Sequence, residues 1–96
     1  MLIDNRDISV GDITYSAVTS YEVWVDNQEI GVIEKGERKV AMVTGVSHKI
    51  VVEEIKDKVL TGKKYEKRFK LKTNESASVN ILAIINNVNE WIDKTH

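Results

Sequence analysis

Cysteine and proline are both missing from this 96-residue chain, and histidine appears only twice. Without cysteine there is no disulfide, no thiolate nucleophile and no cysteine-ligated zinc. Two histidines alone fall short of the three or four ligands a zinc ion takes, so neither a metal nor a cofactor is expected. Small secreted domains often rely on disulfide bridges; their absence points to a reducing compartment, and the expected location is cytoplasmic. Residues 1–7 carry no basic stretch followed by an apolar run, so no secretory signal is read there. The sequon Asn74-Glu75-Ser76 is then a chance match. No run approaches the roughly 18 apolar residues of a membrane span, and no membrane partner is expected. The five glycines, at positions 11, 31, 36, 45 and 62, are too scattered to cradle a phosphate. They read as turns or tight strand crossings.

What is present fits one globular domain spanning 1–96. Hydrophobic residues make up 42% and charged residues 30%, close enough to globular averages to argue against disorder. A domain of this size buries only about 60–70% of its unfolded surface, which leaves little room for a deep substrate cavity. No proline-rich or serine-rich linker divides the chain, and it has no internal repeat.

The dominant pattern has period two, which sends successive side chains to opposite faces of a strand. Ile13, Tyr15 and Ala17 alternate with polar residues, and so do Tyr21, Val23 and Val25. Asp26-Asn27-Gln28 then supplies a turn, Ile30 and Val32 open the next run, and Lys35-Gly36-Glu37 closes it. Val40 and Met42 alternate up to Thr44-Gly45. His48, Ile50 and Val52 share one face of the following segment, with Val51 and Ile55 on the other. Tyr65, Phe69 and Leu71 alternate with Glu66, Arg68, Lys70 and Lys72. Short strands broken every 8–12 residues predict a mainly β fold, a small antiparallel β-sandwich.

The last third carries two patterns. Ala77, Val79 and Ile81 alternate as in a strand, whereas Ile81, Ile84, Ile85, Val88, Trp91 and Ile92 fit helical spacing. The reading is a strand over about 76–83 followed by a short helix ending near Lys94, so that 84–96 forms a C-terminal helical segment. A single helix from 78 onward is the competing assignment.

Tyr21-Glu22-Val23-Trp24-Val25-Asp26-Asn27-Gln28-Glu29-Ile30-Gly31 resembles the opening of PEGA-type β-sandwich domains: a strand, a turn of the V-D-x kind, then an I-G strand. Gly45-Val46-Ser47-His48-Lys49-Ile50-Val51-Val52 is similar to their G-x-H-x-V-x-V strand. The likeness covers residues 20–83, and the proline-containing signature of those domains is absent. It implies an accessory or binding module without catalysis, and so no active-site residues to carry over.

The residues themselves offer little chemistry. His48 could join Ser47 and an aspartate, but there is no nucleophile elbow of the G-x-S-x-G type, and its phase points it toward a packed face. Glu53 and Glu54 are adjacent, so a strand sends them to opposite faces; they read as solvated strand-end charges. No catalytic residue is assigned, and the protein is not expected to be an enzyme.

Charge is unevenly spread. From Lys56 to Lys72 there are eight basic residues against two acidic, a net of +6, and the rest of the chain holds six against thirteen, a net of −7. This segment could meet phosphates or an acidic protein surface. The reading favoured over that is lysines that blunt an exposed edge strand. Trp24 projects from the face opposite Tyr21, Val23 and Val25, where it needs a cover. Either the C-terminal segment packs Val88, Trp91 or Ile92 over it, or Trp24 is an anchor for a partner.

The sequence therefore predicts a non-catalytic protein-interaction or accessory module. Its candidate partner-binding residues are Trp24, Lys63, Lys64, Arg68, Lys70 and Lys72. The expected partner is another protein, and a homodimer is open. The alternative is a binder of nucleic acid or another anionic ligand through residues 56–72.

Overall fold

The architecture is that of a computed structural model, which describes residues 1–95. Along the chain run β1 (Leu2–Asp4), β2 (Ile8–Val10), β3 (Ile13–Tyr15), β4 (Ser20–Val25), β5 (Gln28–Ile33) and β6 (Arg38–Val40). Then come β7 (Ser47–Lys56), β8 (Val59–Lys70), β9 (Ser76–Asn80), α1 (Ile81–Ile85) and β10 (Ile92–Thr95). The fold is mainly β with one short helix near the C-terminus, as the alternation predicts.

One four-stranded sheet has the order β10-β9-β1-β6, a second has β5-β4-β7-β8, and β2-β3 forms a separate hairpin. Pairing is antiparallel throughout except between β1 and β9, which run parallel. Two turns of the second sheet explain its connectivity. Asp26-Asn27 and Asp57-Lys58 each hold two successive residues at positive φ. That is the backbone of the tight two-residue hairpin whose twist matches the flanking strands.

The core lies between the two four-stranded sheets. Val23 and Val25 of β4 face the same way as Ile50 and Val52 of β7, and they share one cluster with Ile3 of β1 and Val79 of β9. Burying each such side chain contributes about 1.5–3 kcal/mol. Asn5, itself fully buried, joins the sheets: its side-chain amide donates to the Thr19 carbonyl at 2.9 Å and to the Ile33 carbonyl at 3.0 Å. At Gly31 a β-bulge interrupts the β4–β5 pairing, and φ is +115°, a conformation that side-chain-bearing residues rarely adopt. An added Cβ there would also meet the Lys39 Nζ at 3.2 Å.

The C-terminal third differs from its expected form. The strand ends at Asn80, not at about 83, and the helix occupies 81–85 instead of running to Lys94. Residues 92–95 are a strand, β10, antiparallel to β9, so among the described residues of the segment 84–96 only Ile84 and Ile85 are helical. Asn80 caps the helix by accepting from the Ala83 amide at 3.1 Å. Asn87, at φ +54°, turns the chain out of it. Trp91 and Ile92 fit a helical stripe by spacing, but the asparagines at 86 and 87 end the helix before they could join it.

Candidate binding face

Antiparallel register decides which side chains of the second sheet share the face opposite the core. Trp24 pairs with Val51 on one side and Glu29 on the other, and Val51 pairs with Glu66. One row toward the Asp26-Asn27 turn, Lys49 lies opposite Arg68; one row beyond, Ser47 lies opposite Lys70. In the other direction Glu22 pairs with Val32 and Glu53, and Glu53 with Lys64. The face thus has a basic end, an apolar middle at Trp24 and Val51, and a pair of glutamates beyond it. Its β8 margin is open to solvent: the Lys64 and Arg68 side chains are 63% and 75% exposed.

Of the residues singled out from sequence, Trp24, Lys64, Arg68 and Lys70 come together on this face. Lys63 does not. It belongs to an irregular stretch in which Glu54 alone faces Thr61, Gly62 and Lys63. Lys72 lies past the end of β8, where its amide donates to the Glu75 carboxylate at 2.9 Å. Sequence reasoning missed Lys49 and Ser47. Period two already placed Lys49 in phase with Val51, but only the register brings it to Arg68.

Trp24 is half-buried and outside the core cluster. The segment expected to cover it goes elsewhere. Trp91 meets Phe69 edge-on, with ring centroids 5.9 Å apart, and both Trp91 and Ile92 pack against the core. The apolar surface of Trp91 and Ile92 is thus used to close the inner side of the sandwich, and Trp24 is on the other side of the sheet.

His48 takes the buried place its phase predicts. Its Nδ1 lies 2.6 Å from Asp26 Oδ2 and its Nε2 lies 3.0 Å from the Gly45 carbonyl oxygen. Both neighbours are acceptors, so both contacts are hydrogen bonds only when both ring nitrogens carry protons. The other Asp26 oxygen accepts from the Lys49 amide at 2.8 Å. Burial pushes the Asp26 carboxyl up, but the bonds from His48 and the Lys49 amide outweigh it and hold the group below the usual carboxylate range. Beside this pair is an open depression of about 690 Å³, with Ser47, Lys49, Arg68 and Lys70 along its wall.

Glu53 is not a solvated strand-end charge. It is 6% exposed, accepts from the Gly62 amide at 3.1 Å and lies 3.8 Å from the Lys64 ammonium. Glu22, directly opposite, is 9% exposed. Burial and a hydrogen bond with Glu29 raise its carboxyl above the usual range, with Lys39 opposing. On the inner face, burial, with Glu54 and Tyr65 adding to it, pushes the Tyr21 hydroxyl up to about 12. Among the described residues no group of three or more His, Asp or Glu is placed to hold a metal ion. No helix among them is long and apolar enough to cross a membrane.

A model of one protein family matches residues 1–96, and the chain belongs to that family, DUF6672, a family of unknown function. No curated protein and no solved structure matches the chain significantly.

Proposed function

We propose that this member of a family without known activity is a non-catalytic protein-interaction module, and that its contact surface is the Trp24 face of the second sheet. One observation carries the reading: Trp24 stands outside the core on a sheet face whose expected cover, the C-terminal segment, packs on the opposite side. A large aromatic at the centre with charged side chains around it is the composition of a protein-binding patch. The accessory role that the PEGA-type likeness implies agrees with it. A cytoplasmic protein partner fits the reading.

Nucleic acid through residues 56–72 is the second reading, favoured by the position of Arg68 and Lys70 beside Lys49. The Trp24 face also bears Glu22, Glu29, Glu53 and Glu66, which would repel a phosphate backbone laid along it.

The test is capture from the native host on immobilised wild-type chain and on Trp24→Thr, followed by mass spectrometry. A protein retained by the wild type and lost by the folded variant supports the proposal. Equal retention by both, or recovery of material that nuclease removes, overturns it.

A further inference from the structure

We infer that the basic end of the Trp24 face is a subsite for the carboxylates of an acidic peptide segment. This rests on the reading that the face binds a protein, and it specifies the partner's chemistry.

β8 is an edge strand, which gives Arg68 and Lys70 a part in blunting that edge. Lys49, however, stands on the inner strand β7, where edge protection does not account for it. Lys49 and Arg68 are direct cross-strand neighbours, and like charges so placed weaken a sheet. Lys70 follows one row on, about 7 Å away at two residues of strand rise. Arg68 is engaged only by Glu66, at 3.6 Å with both side chains exposed, a contact of little strength. Among the described residues Lys49 and Lys70 have no ion pair within 4.0 Å.

The carboxylate at the site, Asp26, does not offset them. Both of its oxygens are engaged, one by the His48 ring and the other by the Lys49 amide. Both oxygens are thus taken up within the fold, so an incoming anion meets three cations, Lys49, Arg68 and Lys70, against this engaged carboxylate and the exposed Glu66. The Ser47 hydroxyl, opposite Lys70, adds a neutral donor. An open depression admits side chains from solvent. The glutamates farther along the face confine the favourable region to one end. A short segment with two or three carboxylates fits that region, and a long polyanion does not. Trp24 and Val51, in the next row, would receive an apolar residue of the same segment.

The experiment is a titration of the isotope-labelled full chain with hexaglutamate, followed by amide chemical shifts. Shifts should concentrate at Asn27, Ser47–Lys49 and Arg68–Lys70. Arg68→Gln with Lys70→Gln should weaken binding about tenfold. Lys58→Gln with Lys63→Gln, the same charge change elsewhere, should leave it within about twofold. Added salt should weaken it steadily. Shifts spread over every lysine, or affinity unaffected by Arg68→Gln with Lys70→Gln, would overturn the subsite. So would tighter binding of an oligothymidylate of equal charge at the same amides, which would favour nucleic acid. Trp24→Thr separates the two proposals. If it abolishes capture of the native partner while hexaglutamate does not bind, the face stands and the subsite falls. Local hexaglutamate binding with Trp24 dispensable for capture leaves the subsite and removes the wider face.

Discussion

The two faces of the β5-β4-β7-β8 sheet are made by the same strands and follow opposite rules. Inward, Tyr21, Val23, Val25, Ile50 and Val52 are almost fully buried and share a cluster with the other sheet. Outward, the alternate residues of the same strands mix Trp24 and Val51 with Glu22, Glu53, Lys49 and Arg68. Packing decides the first face. The second holds the buried carboxylates Glu22 and Glu53 and the adjacent cations Lys49 and Arg68. Stability therefore belongs to the inner set, the proposed recognition to the outer one, and the contrast can be broken by substitution.

The largest effect is expected from neighbouring residues of β7. Ile50 is fully buried, and Ile50→Ala should cost about 2–5 kcal/mol through lost transfer energy and a cavity. Val51, one residue along and half-buried, should cost under about 1 kcal/mol on change to alanine. Urea unfolding of both variants measures the difference. Equal losses would mean that the outer face is packed as well.

That inner face was the legible part. Period two alone located Tyr21, Val23, Val25, His48, Ile50 and Val52, because burial of one face imposes the alternation. Strand order and register were not legible, since alternation says nothing about which strand lies next to which. The parallel β1–β9 pair and the meeting of Lys49 with Arg68 both depend on those long-range choices. The end of the chain misled for a different reason: Ile81 to Ile92 satisfies a helical period, and Asn86-Asn87 overrides it locally. Burial of Glu53 was hidden because its partners, the Gly62 amide and Lys64, come from an irregular stretch of β8.

A smaller loss should follow Asp26→Asn. Asparagine keeps the positive-φ turn and one acceptor, but cannot accept from both His48 and the Lys49 amide. The expected cost is about 1–2 kcal/mol, at the low end of a broken buried hydrogen bond because the Asp26 side chain is 40% exposed. His48→Gln should add little on top of it, since the two substitutions remove one interaction. Additive losses in a double-mutant cycle would mean that His48 is held by packing on Phe69 instead.

Acid titration should oppose two carboxylates of this same sheet. Folding lowers Asp26 from 3.8, so its contribution is complete above that value and is lost as pH falls through the lowered one. Folding raises Glu22 from 4.5, so its contribution is present below that value and is lost as pH rises through the raised one. Glu22→Gln should therefore gain stability relative to wild type on going from acid to neutral pH, and Asp26→Asn should lose it. Stability curves for both variants measured across the acid range check the signs. A pH-independent difference for Glu22→Gln would show that its carboxyl is solvated after all.

The smallest effect on stability is expected at Trp24, the residue at the centre of the proposed contact surface. Trp24 touches the fold through cross-strand neighbours, Val51 and Glu29, and pairs of that kind contribute about 0.2–1 kcal/mol. Threonine keeps the preference for a strand while removing the indole. Trp24→Thr should therefore melt close to the wild type, whereas Trp91→Ala, which removes the edge-on contact with Phe69 and surface packed on the core, should melt clearly lower. The two tryptophans of the chain thus divide as the two faces do. If Trp24→Thr proves as damaging as Trp91→Ala, the outer face is a second core, and its indole is needed for folding before any partner arrives. If it is harmless to the fold and abolishes capture of the partner, then the indole is held on the sheet for contact with another protein.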